Sequence, residues 1–240
     1  MRISLKLEKT QAKNKVLTET LLEYSRLLKT ASNSRKWEDM TENELWYELV
    51  LCILSSNVPY ELAQSAFFHL LNEGFLQSRW ITKMSNSQRM IAKELSRPIY
   101  LPRKMDGSHR RYRFPNIRAR NIVDAARVIS SEKMWLKKLL TNSRSEKQVR
   151  RSLVACIPGV GLKEASHFLR NIGYSNGLAI IDTHVFSFLK KIKAVAQKDV
   201  KTITPSIYLE LEEMLQNICC TYDLNLSVFD MAIWNYMRRE

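Results

Sequence analysis

Ile157-Pro-Gly-Val-Gly-Leu-Lys163 is a glycine-rich turn between two stretches with helical spacing, and Ile180-Ile-Asp-Thr-His184 follows it. Pro158 cannot continue the helix that ends near Cys156. Gly159 and Gly161 allow positive φ and place no Cβ in the way. The pattern predicts a helical hairpin over 157–162. In it the backbone N–H groups around Pro158, Gly159, Val160 and Gly161 converge on a phosphate oxygen, helped by the N-terminus of the next helix. Such a contact carries no base information, which suits a protein that searches any DNA. Taken alone, the four residues are equally a plain helix–helix turn.

Lys163 opens the second helix and Asp182, nineteen positions later, opens the one after it. A lysine amine attacks carbon only when unprotonated, and both burial and the positive end of a helix disfavour the ammonium form. A lysine so placed can displace a base at the sugar C1′ and form a Schiff base. A carboxylate capping free N–H groups stays ionised, and near C1′ it stabilises oxocarbenium-like charge. Apart, a lysine is ordinarily a solvated surface residue and an aspartate an ordinary cap. The pair on either side of one helix points to catalysis.

Composition agrees with a polyanionic partner. Lys and Arg number 38 against 24 Asp and Glu, a net charge of +14, which favours phosphate neutralisation. At 240 residues and 45% hydrophobic content, the chain can bury a proper core in one large domain or two small ones. No apolar run reaches the roughly 18 residues a membrane span needs. The N-terminus Met1-Arg-Ile-Ser-Leu-Lys-Leu-Glu-Lys9 lacks the apolar core of a signal peptide, so the expectation is an intracellular, DNA-associated protein without a membrane. Cys52 and Cys156 read as small core residues, and adjacent Cys219 and Cys220 have no metal-ligand spacing. With no four spaced cysteines, neither an iron–sulfur cluster nor another metal or cofactor is expected.

Helical periodicity dominates. Leu17, Leu21, Leu22, Leu27 and Leu28 predict a first helix, and Thr41-Glu-Asn-Glu44 is a capping box ahead of Leu45, Leu49, Val50, Ile53 and Leu54. Pro59 starts a helix with Leu62, Ala66, Leu70 and Leu71 on one face, and Ser145-Glu-Lys-Gln148 is a second capping box. Helical pattern resumes over Arg118–Ile129, Pro205 begins a further helix, and 226–237 reads as the last. Residues 97–120 differ, with eight Lys and Arg, one acid and three prolines. Asp106-Gly107 between two short apolar stretches predicts either a small hairpin or a basic loop ordered by DNA. The charges of Arg110, Arg111 and Arg113 are expected to add sequence-independent DNA affinity.

Three segments resemble the helix-hairpin-helix DNA glycosylases, most of all the type 2 8-oxoguanine DNA glycosylase/AP lyases. They are Gly161-Leu-Lys-Glu-Ala-Ser-His-Phe-Leu-Arg-Asn171 with Asp182-Thr-His184, then Tyr112-Arg-Phe-Pro-Asn-Ile-Arg-Ala-Arg120, then Ile53-Leu-Ser-Ser-Asn57. The resemblance extends over roughly 40–240 and leaves the first forty residues unaccounted for. It implies an all-α, two-domain fold with a DNA-binding cleft between the domains. One domain would be a helical barrel over 41–175 that includes the hairpin; the other would be built from 1–40 plus 176–240. It implies that Lys163 and Asp182 are catalytic, that the partner is double-stranded DNA with a damaged base, and that the base is flipped out of the duplex. A monomer is expected.

Further roles stay paired with simpler ones. Asn57 fills the gap left by the flipped base, or ends a helix. His167, one turn after Lys163, faces the base pocket, or packs. Trp234 stacks on the base, or sits in the core, and Asp230 accepts a hydrogen bond from the base, or pairs with a lysine. The reaction expected is excision of 8-oxoguanine by lysine attack, Schiff-base formation and β-elimination. The alternatives are the same chemistry on another lesion, such as an oxidised pyrimidine, or a non-catalytic helix-hairpin-helix module that only binds DNA. A monofunctional glycosylase fits less well, because such relatives generally lack a lysine at the position of Lys163.

Overall fold

The computed structural model describes residues 15–30, 36–133, 135–143, 145–195 and 202–239. The stretch Met1–Lys9 read above lies outside them. Among the described residues the regular structure is helical apart from one isolated β-bridge between Tyr100 and Arg110. They fall into two compact units: residues 36–174, and the described residues that precede and follow them in the chain.

The mid-chain unit is organised by α2 (Glu42–Leu54), which packs against α3 (Tyr60–Asn72), α6 (Pro115–Ser130), α7 (Trp135–Asn142) and α9 (Leu162–Asn171). Its start is set by the predicted box: Thr41 Oγ1 accepts from Glu44 N–H and Glu44 Oε2 accepts from Thr41 N–H. Leu45, Trp46, Leu49, Val50, Cys52, Ile53 and Leu54 are all buried, so α2 is apolar round most of its circumference and must be covered on several sides. Trp46 satisfies its one polar atom by donating Nε1–H to the Leu76 carbonyl at 2.7 Å. Two short helices, α4 (Ser78–Lys83) and α5 (Ser87–Leu95), pack on α6. Helix α6 starts at Pro115, three residues before the sequence pattern suggested, because a proline at the first helical position loses no needed N–H. Helix α8 (Glu146–Cys156) begins where Ser145 Oγ accepts from Gln148 N–H.

In the unit built from the chain's two ends, α12 (Leu226–Met237) packs against α1 (Lys15–Thr30), α10 (Thr183–Lys191) and α11 (Pro205–Tyr222). Buried on α1 are Leu17, Thr20, Glu23 and Tyr24, whereas Leu22 and Leu28 are exposed. The buried Glu23 is paired: its two carboxylate oxygens accept from Arg239 at 3.1 and 3.2 Å. Cys156 also departs from expectation. It ends α8 on the surface, while Cys52 is fully buried.

Candidate active site

In the mid-chain unit the hairpin is anchored by its two apolar residues. Ile157 and Val160 are buried and Pro158 and Gly159 form the exposed tip. Val160 N–H donates to the Ile157 carbonyl at 3.2 Å, closing the turn. Gly159 is left-handed, with φ +79, and a Cβ there would lie 2.1 Å from Asn121 Nδ2. Asn121 is buried on α6, so glycine is required at 159 by backbone angle and by close approach together. Gly161 is a correction: its φ is −95, extended rather than left-handed, and its N–H donates to Glu164 Oε2 at 3.2 Å. That leaves the N–H groups of Gly159, Leu162 and Lys163 without an acceptor among the described residues. The two helices of the hairpin are tied by Arg150 on α8, which donates to Ser166 Oγ on α9 at 3.1 Å inside the core.

Lys163 is half-buried at the second position of α9. His167 lies one turn on, and burial, with the Arg170 and Lys163 cations beside it, pushes its pKa down to about 3, so its imidazole is neutral. Facing α9 from α2 are two groups that sequence reading missed. Cys52 remains a thiol, its pKa pushed well up by burial and by the Glu48 and Glu164 carboxylates, while Lys163 pulls the other way. Glu48 is held above the usual carboxylate range by burial, although Asn171 Nδ2 donates to its Oε1 at 2.7 Å. The apolar run of α2 hid both, since only the packing of α2 on α9 shows which face they occupy.

Asn57 is exposed and left-handed, with φ 56, in the turn that follows α2. That turn is fastened by two side chains from the segment that resembled the family: Tyr112 OH donates to the Leu54 carbonyl at 2.5 Å, and Arg118 Nη2 to the Ser56 carbonyl at 2.6 Å. The basic segment is a hairpin of a single bridge, with Tyr100 and Arg110 exchanging two backbone hydrogen bonds at 3.0 Å. Arg110 donates Nε–H to the Pro102 carbonyl at 2.9 Å, and Arg103 donates to the Gly107 carbonyl at 3.0 Å, so both shape the loop. Arg111 and Arg113 are exposed, and Arg113 lies 4.9 Å from the Phe114 ring centroid.

In the other unit Asp182 caps α10: its Oδ1 accepts from His184 and Val185 N–H, both at 2.9 Å. Its Oδ2 makes no hydrogen bond among the described residues. The buried segment that delivers it belongs to no helix or sheet, so side chains satisfy its backbone. Ala179 N–H donates to Glu212 Oε1 at 3.0 Å, Ile180 N–H to Asp230 Oδ2 at 2.8 Å, and Tyr208 OH to the Ala179 carbonyl at 2.8 Å. Asp230 thus serves the backbone of Ile180 from inside the protein. Trp234 is half-buried, with the His184 ring 6.3 Å away edge-on and the Arg238 guanidinium 4.8 Å from its centroid. Among the described residues no group of acidic, histidine or cysteine side chains could hold a metal ion, and no helix is long and apolar enough to cross a membrane.

The family model for 8-oxoguanine DNA glycosylase matches residues 28–224. The chain is 32% identical over 223 residues to an 8-oxoguanine DNA glycosylase/AP lyase of Sulfurisphaera tokodaii, covering 92% of this chain and 93% of that one. It is 31% identical over 198 residues to a protein of the same description from Saccharolobus islandicus, covering 82% and 84%. A solved structure of the Methanocaldococcus jannaschii 8-oxoguanine glycosylase/lyase, in complex with DNA containing 8-oxoguanine, superposes with a TM-score of 0.66. It is 26% identical and covers 96% of this chain and 93% of that one.

Two outcomes follow from this geometry. Gly159→Ala is expected to destabilise the protein by at least about 1 kcal/mol, the cost of a left-handed non-glycine residue, with the Asn121 contact adding to it. In a thermal-melt cycle with Asn121→Ala the double variant should lose less than the sum of the singles; strict additivity would deny the contact. The unfolded chain protonates His167 below about pH 6.5, but the folded one only near 3. The unfolded state therefore binds more protons across that window, and stability contributed by neutral His167 is lost as pH falls through it. His167→Gln should make the drop in urea midpoint between pH 7 and pH 5 shallower, and an identical drop would contradict this.

Proposed function

Since the chain belongs to the 8-oxoguanine DNA glycosylase family, we propose that it is a bifunctional glycosylase/AP lyase that removes 8-oxoguanine from double-stranded DNA. The observation that carries the proposal is Lys163: a half-buried amine at the start of the helix that leaves the Pro158–Gly161 turn. Nζ, as free amine, forms a bond to C1′ while the C1′–base bond breaks and the base departs with the electron pair. The sugar ring opens, O4′ takes a proton, and the lysine nitrogen becomes a Schiff base at C1′. Loss of a C2′ proton then expels the 3′ phosphate, which is the strand cut.

Asp182, whose Oδ1 is held by two N–H groups, presents its other oxygen as a fixed negative charge for the oxocarbenium-like sugar. The N–H groups of Gly159, Leu162 and Lys163 take a backbone phosphate oxygen at the positive end of α9. Neutral His167 and half-buried Trp234 are assigned to the flipped base, the first as a hydrogen-bonding wall and the second as a stacking face. Asn57, exposed on a strained turn, is assigned to the space the base vacates. Arg111 and Arg113, with the loop shaped by Arg110, add sequence-independent affinity. The protein acts on DNA as a monomer, with one domain over 41–175 and the other from both ends of the chain.

Single-turnover strand cleavage of a duplex carrying one 8-oxoguanine tests this. Lys163→Gln should abolish cleavage while duplex binding persists. Asp182→Asn should slow it by about 10²–10³-fold, the usual effect of losing one preorganised electrostatic group. Wild-type rates in Lys163→Gln would leave a protein that binds DNA without this chemistry.

A further inference from the structure

We propose that a groove between α5 and the first turn of α6 binds the sugar–phosphate backbone of duplex DNA flanking the lesion, as a phosphate site separate from the hairpin. The groove encloses about 530 Å³, and its lining includes Asn86, Gln88, Arg89, Lys93, Ser96 and Asn116. It contains none of the residues assigned to the reaction. No carboxylate lines it, and the other two lining residues, Ser85 and Ala92, are also uncharged.

Arg89 and Lys93 stand one turn apart on α5, both exposed, and neither makes an ion pair among the described residues. Like charges at that spacing weaken a helix, so the pair costs folding stability without a partner inside the protein. The acid closest in sequence, Glu94, is already taken by His69 and Arg97, both within 2.9 Å. The two cations are left for a polyanion.

The rest of the lining fixes which part of a nucleic acid fits. Amide and hydroxyl groups hydrogen-bond phosphate and sugar oxygens. There is no aromatic ring on which an unpaired base could stack, so single-stranded binding through bases is disfavoured. Helix α6 carries both phosphate sites: Asn116 at the groove, and Asn121 against Gly159 of the hairpin. Five residues of helix advance about 7.5 Å, and both sites lie in one unit, so their spacing is fixed before DNA arrives. The identity of the polyanion rests on the proposed function; the anion site itself does not.

The test uses the full-length protein and the Arg89→Gln/Lys93→Gln variant. Binding to undamaged duplex is measured between 50 and 200 mM salt, and again on duplexes with single phosphates replaced by methylphosphonate. Each lost phosphate contact lowers the slope of log K against log salt by about 0.9, so the variant should lose about 1.8 and each single variant about half of that. Wild type should weaken at one or two flanking methylphosphonate positions where the variant shows no further loss. Excision at saturating enzyme should be unchanged. An unchanged slope overturns the proposal, and so does a lower slope with the wild-type methylphosphonate profile, which would mean a diffuse charge effect. Lesion excision by wild type is scored on the same preparations. Its absence, with the groove effect present, would sink the enzymatic reading and leave the groove as a DNA site.

Discussion

A buried backbone that belongs to neither helix nor sheet must have its N–H and C=O groups satisfied one at a time, and the segment that delivers Asp182 is such a backbone. Leu178, Ala179, Ile180 and Ile181 are buried in succession, and α11 and α12 supply the partners: Glu212, Tyr208 and Asp230. Each partner is itself largely inside, so each would be costly if the segment moved away and left it unpaired. The segment is therefore held in one path, and the cap that Asp182 makes on α10 follows from where that path ends. The same helix start fixes the carboxylate's orientation, since His184 and Val185 N–H both donate to Oδ1.

The mid-chain unit solves the corresponding problem with a missing atom. The tip of the hairpin comes so close to Asn121 that only a residue without Cβ fits, and this contact sets the hairpin against α6. Arg150 and Ser166 then fix the two arms of the hairpin to each other. Lys163 inherits a position on a rigid support, facing an α2 whose Cys52 stays neutral.

Much of this was legible in the chain. Helix starts were readable wherever a cap is a local interaction: Thr41 with Glu44, Ser145 with Gln148, and Asp182 with the residues that follow it. The left-handed turn at Gly159 and the place of Lys163 at the start of α9 were readable because a proline-glycine pair between two helical patterns marks where one helix ends and the next begins. What escaped depends on pairs far apart in sequence. Nothing near Glu212 or Asp230 announces that they serve the backbone of residues 179 and 180, and nothing near Asn121 announces Gly159. Likewise nothing near Glu23 on α1 announces its pairing with Arg239 near the other end of the chain. Gly161 misled because two glycines in one turn need not use the same freedom; the second was held by Glu164.

The central claim is that Lys163 forms a covalent bond to the sugar. Borohydride reduction during reaction with a duplex carrying one 8-oxoguanine, followed by peptide mapping of the adduct, tests it directly. The account predicts a single adduct on the peptide containing Lys163, and none with Lys163→Gln. An adduct mapped to another lysine, or no wild-type adduct on either this duplex or one with an abasic site, would contradict it.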